Sequence, residues 1–315
     1  MQRAAWCWSS LVALVGVAVG FGCSKPRGKP STSTSTSTST STSTSTSTST
    51  STSTSTGLDA GAACQGSGEL VAGVEVRRVR AGSAPEVGQG DRCITLVRID
   101  PARYRARLLT PKEGGPLPAP GWTQAAGLSA VINATLFLDD GRGFGLMIAD
   151  GRVINGNDNP KLGGFLALGP RRKGLAEVAL FGRDCEGFDL GRVRADYATV
   201  VQSYRLLDCA GQPIGWQDAK SYSAAAVGVD RDGWLVLVHV RTPYRMAVLA
   251  RELATAMPTL SGALFVEGGP EASLLVRAGG REVAEVGSFE TDFTENDDNR
   301  VFWPLPNVLG LTAVN

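Results

Sequence analysis

The sequence predicts an α+β fold: a single strand-rich domain with mainly antiparallel sheet and few helices, behind a disordered stalk. Three observations carry this. Short apolar runs recur along the carboxyl four-fifths of the chain, and Asp-Gly pairs such as Asp140-Gly141, Asp150-Gly151 and Asp232-Gly233 separate several of them as hairpins require. Only one segment of the carboxyl half keeps a helical period. An uninterrupted Ser-Thr repeat over 31–56 offers no apolar side chain to offset the entropy of ordering it.

From the amino end, Arg3 is followed by an apolar run interrupted only by Ser9 and Ser10, the layout of a secretory signal. The run closes on Gly20-Phe21-Gly22 before Cys23, and the composition then switches to Ser24-Lys25-Pro26-Arg27. Residues 1–23 therefore read as a lipoprotein-type signal peptide with Cys23 as the lipidated residue, anchoring the chain to a membrane of a bacterial cell envelope. The competing reading is an uncleaved membrane helix, since about 18 apolar residues can just span a bilayer. Residues 24–56 read as a low-complexity linker that holds a domain away from the anchored end, and 57–315 as that domain.

The net charge of +1, with basic residues scattered, leaves no electrostatic footprint for DNA or RNA. Apart from Cys7 and Cys23, the cysteines are Cys64, Cys93, Cys185 and Cys209. An even number in an exported domain predicts two disulfides, with three pairings open. No Cys-x-x-Cys pair or neighbouring histidine supplies metal-ligand spacing, so no metal or other cofactor is expected.

Strands are predicted over 94–99, 106–109, 130–133, 145–148, 165–168, 178–181, 224–229, 234–240, 263–266 and 273–276. The helix is predicted over 245–257, where Val248, Leu249, Leu253 and Met257 share a face and Pro258 stops the run. His239, the one histidine, sits inside the apolar run 234–240 and reads as a core position. A Ser-His-Asp or Cys-His engine would need that ring at a cleft. No Gly-x-x-x-x-Gly-Lys-Ser/Thr loop occurs.

Polar residues placed at the ends of buried strands remain as site candidates. The run Ala130-Val131-Ile132 ends in Asn133, which donates and accepts at once. Leu264-Phe265-Val266 ends in Glu267, followed by Gly268 and Gly269, which let a ligand approach the backbone.

In this order the segments resemble the phosphodiester glycosidase family. An Ile-Asn-Gly/Ala-x-x-Phe strand end is matched by Ile132-Asn133-Ala134-Thr135-Leu136-Phe137, and a Gly-Leu-x-Ile-x-x-Gly hairpin by Gly145-Leu146-Met147-Ile148-Ala149-Asp150-Gly151. A Gln-Ser segment is matched by Gln202-Ser203, and a Gly-x-Asp-x-Asp-Gly hairpin by Gly228-Val229-Asp230-Arg231-Asp232-Gly233. The family's Leu-Asp-Gly-Gly-x-Ser strand end resembles Val266-Glu267-Gly268-Gly269 with Ser273 further on, and Pro306-Asn307-Val308-Leu309 its closing strand. The chain departs from the pattern at three places. Glu267 replaces the aspartate, Ala224 an arginine before the second hairpin, and Tyr204-Arg205 a Gly-Pro. Losing the arginine removes a bidentate clamp for a phosphate, which Arg205, Lys220 or Arg142 would have to replace.

The resemblance implies hydrolysis of the bond between a sugar's anomeric carbon and a phosphate oxygen, with a sugar-phosphate or glycan as the substrate. Phosphate leaves readily, so the demand falls on stabilising an oxocarbenium-like centre and activating water, and Glu267 could do either. Asn133 would hold a sugar hydroxyl or acetamido group. Gly268 and Gly269 would allow close approach, and Ser273, Gln202, Ser203, Arg205 and Lys220 would bind substrate. Three alternatives stand beside this. Asn133 and Glu267 only pin neighbouring strand ends; the fold is a catalytically silent carbohydrate-binding or envelope-structural lipoprotein; or Asp292, Glu295, Asp297 and Asp298 form a calcium loop, although it lacks the glycine turn of an EF-hand.

Overall fold

Asp150 and Gly151, both with positive φ (48° and 82°), make the tight turn that their Asp-Gly pairing predicts. They join β6 (Met147–Ala149) to β7 (Arg152–Asn155). A second Asp-Gly turn works through its side chain. Asp230 Oδ1 accepts from the backbone N–H groups of Asp232 and Trp234, both at 3.0 Å, and Gly233 takes φ 81°. That turn links β11 (Tyr222–Asp230) to β12 (Leu235–Tyr244). The computed structural model describes residues 64–111, 115–138 and 140–314, which lie in a unit running from Gly61 to Asn315. The signal, Cys23, the Ser-Thr tract and the boundary at 57 lie outside the described residues.

Two antiparallel sheets hold these and the other strands. The larger has at its centre β3 (Cys93–Ile99), β12, β11, β13 (Leu260–Gly268) and β10 (Tyr197–Arg205), in that order. It is flanked by β2 (Val74–Arg80) and β1 (Gln65–Val71) on one side and by β6 and β7 on the other. The strands β8 (Gly164–Pro170) and β9 (Val178–Gly182) branch from β10. The smaller sheet runs β15 (Arg281–Val286), β14 (Ser273–Ala278), β5 (Ala130–Asn133), β16 (Val308–Ala313) and β4 (Tyr104–Leu109). Three helices complete the described residues: α1 (Ala119–Ala126), α2 (Leu190–Asp196) and α3 (Met246–Ala256). The antiparallel, strand-rich α+β class predicted from sequence is the class observed.

Why the central strands read as continuous apolar runs follows from the layers. One face of the large sheet meets the small sheet: Val97, Val227, Leu237 and Val266 pack in one core with Ile132, Leu274, Val276 and Leu309. The other face takes α3, whose Val248, Leu249 and Leu253 pack with Leu96, Ala226, Val236, Val238 and Phe265. Alternate residues of β12 thus enter opposite cores, and both sets must be apolar. His239 lies in this strand, buried, with Nε2 3.2 Å from the carbonyl of Ala272, the core position its sequence context suggests.

Cys64 pairs with Cys93 (Cα–Cα 5.3 Å) and Cys185 with Cys209 (5.6 Å), which resolves the three open pairings and fits folding in an oxidising compartment. No helix of the described residues is long and apolar enough to cross a membrane. The second bridge closes a loop with a sequence separation of 24. Replacing Cys185 and Cys209 together by serine is expected to cost on the order of 3 kcal/mol and to lower Tm by roughly 6–12 °C. Melting curves of wild type and variant measure this, and labelling of two or more of Cys64, Cys93, Cys185 and Cys209 in the unfolded, unreduced chain would mean that at least one of the two bridges does not form.

Candidate active site

The sharp corner between β13 and β14 is where the candidate residues gather. Glu267 and Gly268 close the buried end of β13, and Gly269, Pro270 and Glu271, buried as well, form one turn of 3-10 helix before β14 begins at Ser273. Gly269 takes φ 67°, a backbone conformation that a side chain would strain. At Gly268 a Cβ atom would come within 3.2 Å of Phe265 Cζ and of Tyr222 Cβ, so any side chain there would have to push the neighbouring rings aside by a few tenths of an ångström.

Asn133, 1 % exposed at the end of β5, holds this corner in place. Its Nδ2 donates to the carbonyl of Glu271 at 3.1 Å, and its Oδ1 accepts from the N–H of Ser273 at 2.8 Å. Ser273 Oγ donates to the same carbonyl at 2.9 Å. Both side chains therefore fasten the second sheet to the turn. Asn133→Ala is expected to leave the buried Ser273 N–H unpaired and the Glu271 carbonyl with Ser273 Oγ alone, at a cost of about 1–3 kcal/mol. A thermal melt reads the loss, and an unchanged Tm would free Asn133 from the anchoring role.

Three carboxyl groups surround the corner, and only the first belongs to the sequence-derived set. Glu267 (8 % exposed) accepts at Oε1 from Gly268 N–H at 3.0 Å. Glu271 (6 % exposed) has a buried Oε2 with no hydrogen-bond partner. Glu290, in the loop after β15, turns back onto the corner: a Cβ at Gly269 would lie 2.5 Å from Glu290 Oε2 and 3.4 Å from Glu271 Oε2. Burial drives the electrostatics. It pushes Glu267 well above the usual carboxylate range, helped by the charges of Glu271 and Glu290. It pushes Glu271 up to about 7, with Glu290 adding to it, and Glu290 up to about 7 against the opposing charge of Lys220. Tyr222, which bridges Glu290 through its backbone, has its phenol raised by burial and then by that carboxylate. The sequence carried a signal for Glu271, two residues before Ser273 in the same run. It carried none for Glu290, which the loop after β15 brings back to the corner.

The other predicted site residues divide. Gln202, fully buried, accepts from the N–H groups of Leu146 and Asn159 and donates to the carbonyls of Asn159 and Leu162; its backbone carbonyl accepts from Thr135 Oγ1. Ser203 Oγ donates to the Phe265 carbonyl at 2.6 Å. Both amide and hydroxyl are used to register β10 against its neighbours. Lys220 reaches Asp292 at 3.3 Å and acts on Glu290 through its charge. Arg205 points elsewhere: it pairs with Asp184, donates to the Leu207 carbonyl and lies against Cys209 Sγ. It lines a surface cavity of about 520 Å³ beside the Cys185–Cys209 bridge. Arg142 is exposed and bound to Asp140. Ala224, at the position of the family's arginine, pairs directly with Gly268. The acid corner thus has Lys220 as its nearest candidate cation.

Three carboxylates of the acidic loop considered for calcium, those of Asp292, Glu295 and Asp297, are spent on cations and backbone. Asp292 pairs with Lys220, Asp297 with Arg241 at 2.7 Å, and Glu295 Oε1 accepts from Asp292 N–H. Asp184 lies close to the sulfurs of Cys185 and Cys209, but those sulfurs are bonded to each other.

The profile of a family described as phosphodiester glycosidase matches residues 126–312, the span that contains the whole corner. No curated protein matches the sequence significantly. Among solved structures, the catalytic domain of zebrafish N-acetylglucosamine-1-phosphodiester alpha-N-acetylglucosaminidase, auto-inhibited by its pro-peptide, is similar with a TM-score of 0.51 at 17 % identity. That match covers 75 % of this chain and 81 % of the other. A hypothetical protein from Synechocystis is similar with a TM-score of 0.48 at 12 % identity over 79 % of this chain and 63 % of that one.

Proposed function

The chain belongs to the phosphodiester glycosidase family, and we propose that it is an exported hydrolase that breaks the anomeric C–O bond of a sugar-1-phosphate diester. The observation that supports this reading is the corner itself. Within the family-matched span, a buried carboxyl group stands at a strand end beside two glycines, with two more carboxyl groups behind it. Glu267 carries the work on the sugar. Ionised, with Gly268 N–H supporting its Oε1, it faces the positive charge that develops at the anomeric carbon or takes the proton of the attacking water. The departing phosphate needs little protonation. In this reading Lys220, which pairs with Asp292 and acts on Glu290 through its charge, would turn to a phosphate oxygen, and Arg205, beside the disulfide, takes no part.

The proposal includes the chain's address. Cys23 carries a lipid, residues 24–56 form the stalk, and the domain from 57 onward faces the periplasm or the cell surface, where both disulfides persist. The test is release of reducing sugar from a panel of sugar-1-phosphate methyl diesters by the purified chain. Turnover on at least one diester is expected. A second reading, a silent carbohydrate-binding module, draws on the pairing of Ala224 with Gly268, which puts a methyl group where the family pattern has an arginine. Binding of a sugar without turnover on any diester would select it.

A further inference from the structure

The two disulfides sit in opposite surroundings. Cys64 and Cys93 are 5 % and 9 % exposed, so their bridge is closed to solvent. Cys209 is exposed, and both Cys185 and Cys209 line the cavity of about 520 Å³ that opens beside them. A buried cation stands over this second bridge: Arg205 places Nη2 3.7 Å from Cys209 Sγ. Its Nε donates to the Leu207 carbonyl at 3.1 Å, which fixes the guanidinium in place. Glycine at 182 admits the arrangement, since a Cβ there would meet Arg205 Nη1 and lie 2.5 Å from Cys185 Sγ. Neither hydrolysis at the acid corner nor the tying of two loops requires a cation against a disulfide sulfur. We propose that the Cys185–Cys209 bridge is a thiol–disulfide exchange site, opened by an external dithiol with Cys209 as the leaving thiolate.

Exchange proceeds by attack of a thiolate on one sulfur, and it is fastest where the departing sulfur best holds negative charge. One thiolate of the dithiol bonds to Cys185 Sγ from the cavity. The S–S bond breaks, and its electron pair stays on Cys209 Sγ against the Arg205 guanidinium. The second thiolate of the dithiol then bonds to the first, breaking the mixed disulfide and releasing Cys185. The dithiol leaves as its own disulfide, oxidised by two electrons, and the bridge has gained those two electrons and the two protons the dithiol gave up. Not every charge at the sulfurs favours this step. Asp184 has a carboxylate oxygen within 4.8 Å of both sulfurs, and Glu186 and Asp208 border the cavity. The Asp184 side chain is 74 % exposed and pairs with Arg205 itself, whereas that of Arg205 is 7 % exposed, so water screens the acid far more than the cation. Glu186 is exposed as well, and Asp208 spends Oδ1 on the N–H groups of Ala210 and Gln212. The guanidinium therefore dominates at Cys209 Sγ.

The experiment follows reduction of the purified full chain by dithiothreitol under native conditions. Samples are alkylated at intervals, and mass spectrometry of the peptides reads the label on each of the four cysteines. The Cys185–Cys209 bridge should open about 100-fold faster than Cys64–Cys93. Arg205→Leu should slow that opening by about tenfold, because the leaving thiolate loses its cation, and Asp184→Asn should hasten it. A bridge that only ties two loops gives the opposite sign for Arg205→Leu. Losing the bonds to Leu207 and Asp184 then loosens the loop and speeds reduction, and a faster or unchanged rate overturns the inference. Equal rates for the two bridges in wild type overturn it too, as does a Cys185–Cys209 bridge that opens only when the chain melts. If Arg205→Leu fails to fold, Asp184→Asn decides, and an unchanged or slower opening in that variant overturns the inference. None of these readings depends on turnover of a sugar diester, so the hydrolase reading is tested separately.

Discussion

Glu267→Gln is expected to reduce turnover of a sugar-1-phosphate diester by about 100-fold or more while leaving Tm within a few degrees of wild type. The substitution keeps the size of the side chain and its acceptor for Gly268 N–H, so the corner keeps its shape. What it removes is a charge that forms in a site without an arginine. Glu267→Asp restores the family's residue with a shorter reach and should retain more activity than Gln. Burial and the neighbouring carboxylates raise the carboxyl group, so the rising limb of kcat/KM against pH should lie well above the ordinary glutamate range. Glu267→Asp, moving the carboxyl by one methylene, should shift that limb. Full activity in Glu267→Gln would falsify the mechanism at its centre, and a rising limb near 4.5 would show that Glu267 is solvated when it works.

The layered fold was legible because its signals are local or periodic. The Asp-Gly turns, the run 234–240 and the helix face of Val248, Leu249 and Leu253 each report burial directly, and α3 begins and ends within a residue or so of the expected bounds. Elements with weak burial were not legible. β2 alternates with Arg77, Arg78 and Arg80, β15 opens on Arg281 and Glu282, and α1 has eight residues held by the burial of Trp122 and its bond to the Leu305 carbonyl. Their structure comes from neighbours distant in sequence.

The site divides in the same way. Glu267 with its glycines could be found because a carboxylate ending an apolar strand is a local contradiction. Asn133 belongs to the corner for a reason the sequence does not disclose, a pair of hydrogen bonds to a turn 138 and 140 residues away. Glu290 depends on how the loop after β15 folds back, where Gly287 N–H donates to the Ala272 carbonyl and Thr291 exchanges hydrogen bonds with Ser221. Arg205 shows the reverse. Its place after Gln202-Ser203 suggested a phosphate clamp, but the alternation of β10 and its pairing with Leu264 send the guanidinium to the disulfide loop.

The carboxyl cluster should also govern how stability responds to pH. Glu271 and Glu290 bind their protons up to about 7 in the folded chain, and Glu267 holds on more tightly still. In the unfolded chain all three release them near the ordinary glutamate value. A raised carboxyl group contributes stability that is fully present below its unfolded pKa and is lost as pH rises through its folded pKa. The cluster therefore supports the fold at pH 4.5 and works against it progressively between about pH 5 and 8. For Glu271 alone, a rise from the ordinary glutamate value of 4.5 to about 7 corresponds to on the order of 3 kcal/mol at alkaline pH. Glu271→Gln, neutral at every pH, should match wild type at pH 4.5 and exceed its Tm by roughly 6–12 °C at pH 8.5. Glu290→Gln should gain less, because Lys220 then loses a favourable partner. The measurement is Tm of wild type and both variants across that range. A constant Tm difference between wild type and Glu271→Gln at all pH values would mean that Glu271 ionises as freely in the folded chain as in water, and a variant less stable than wild type at pH 8.5 would mean that its carboxylate has a partner in the fold.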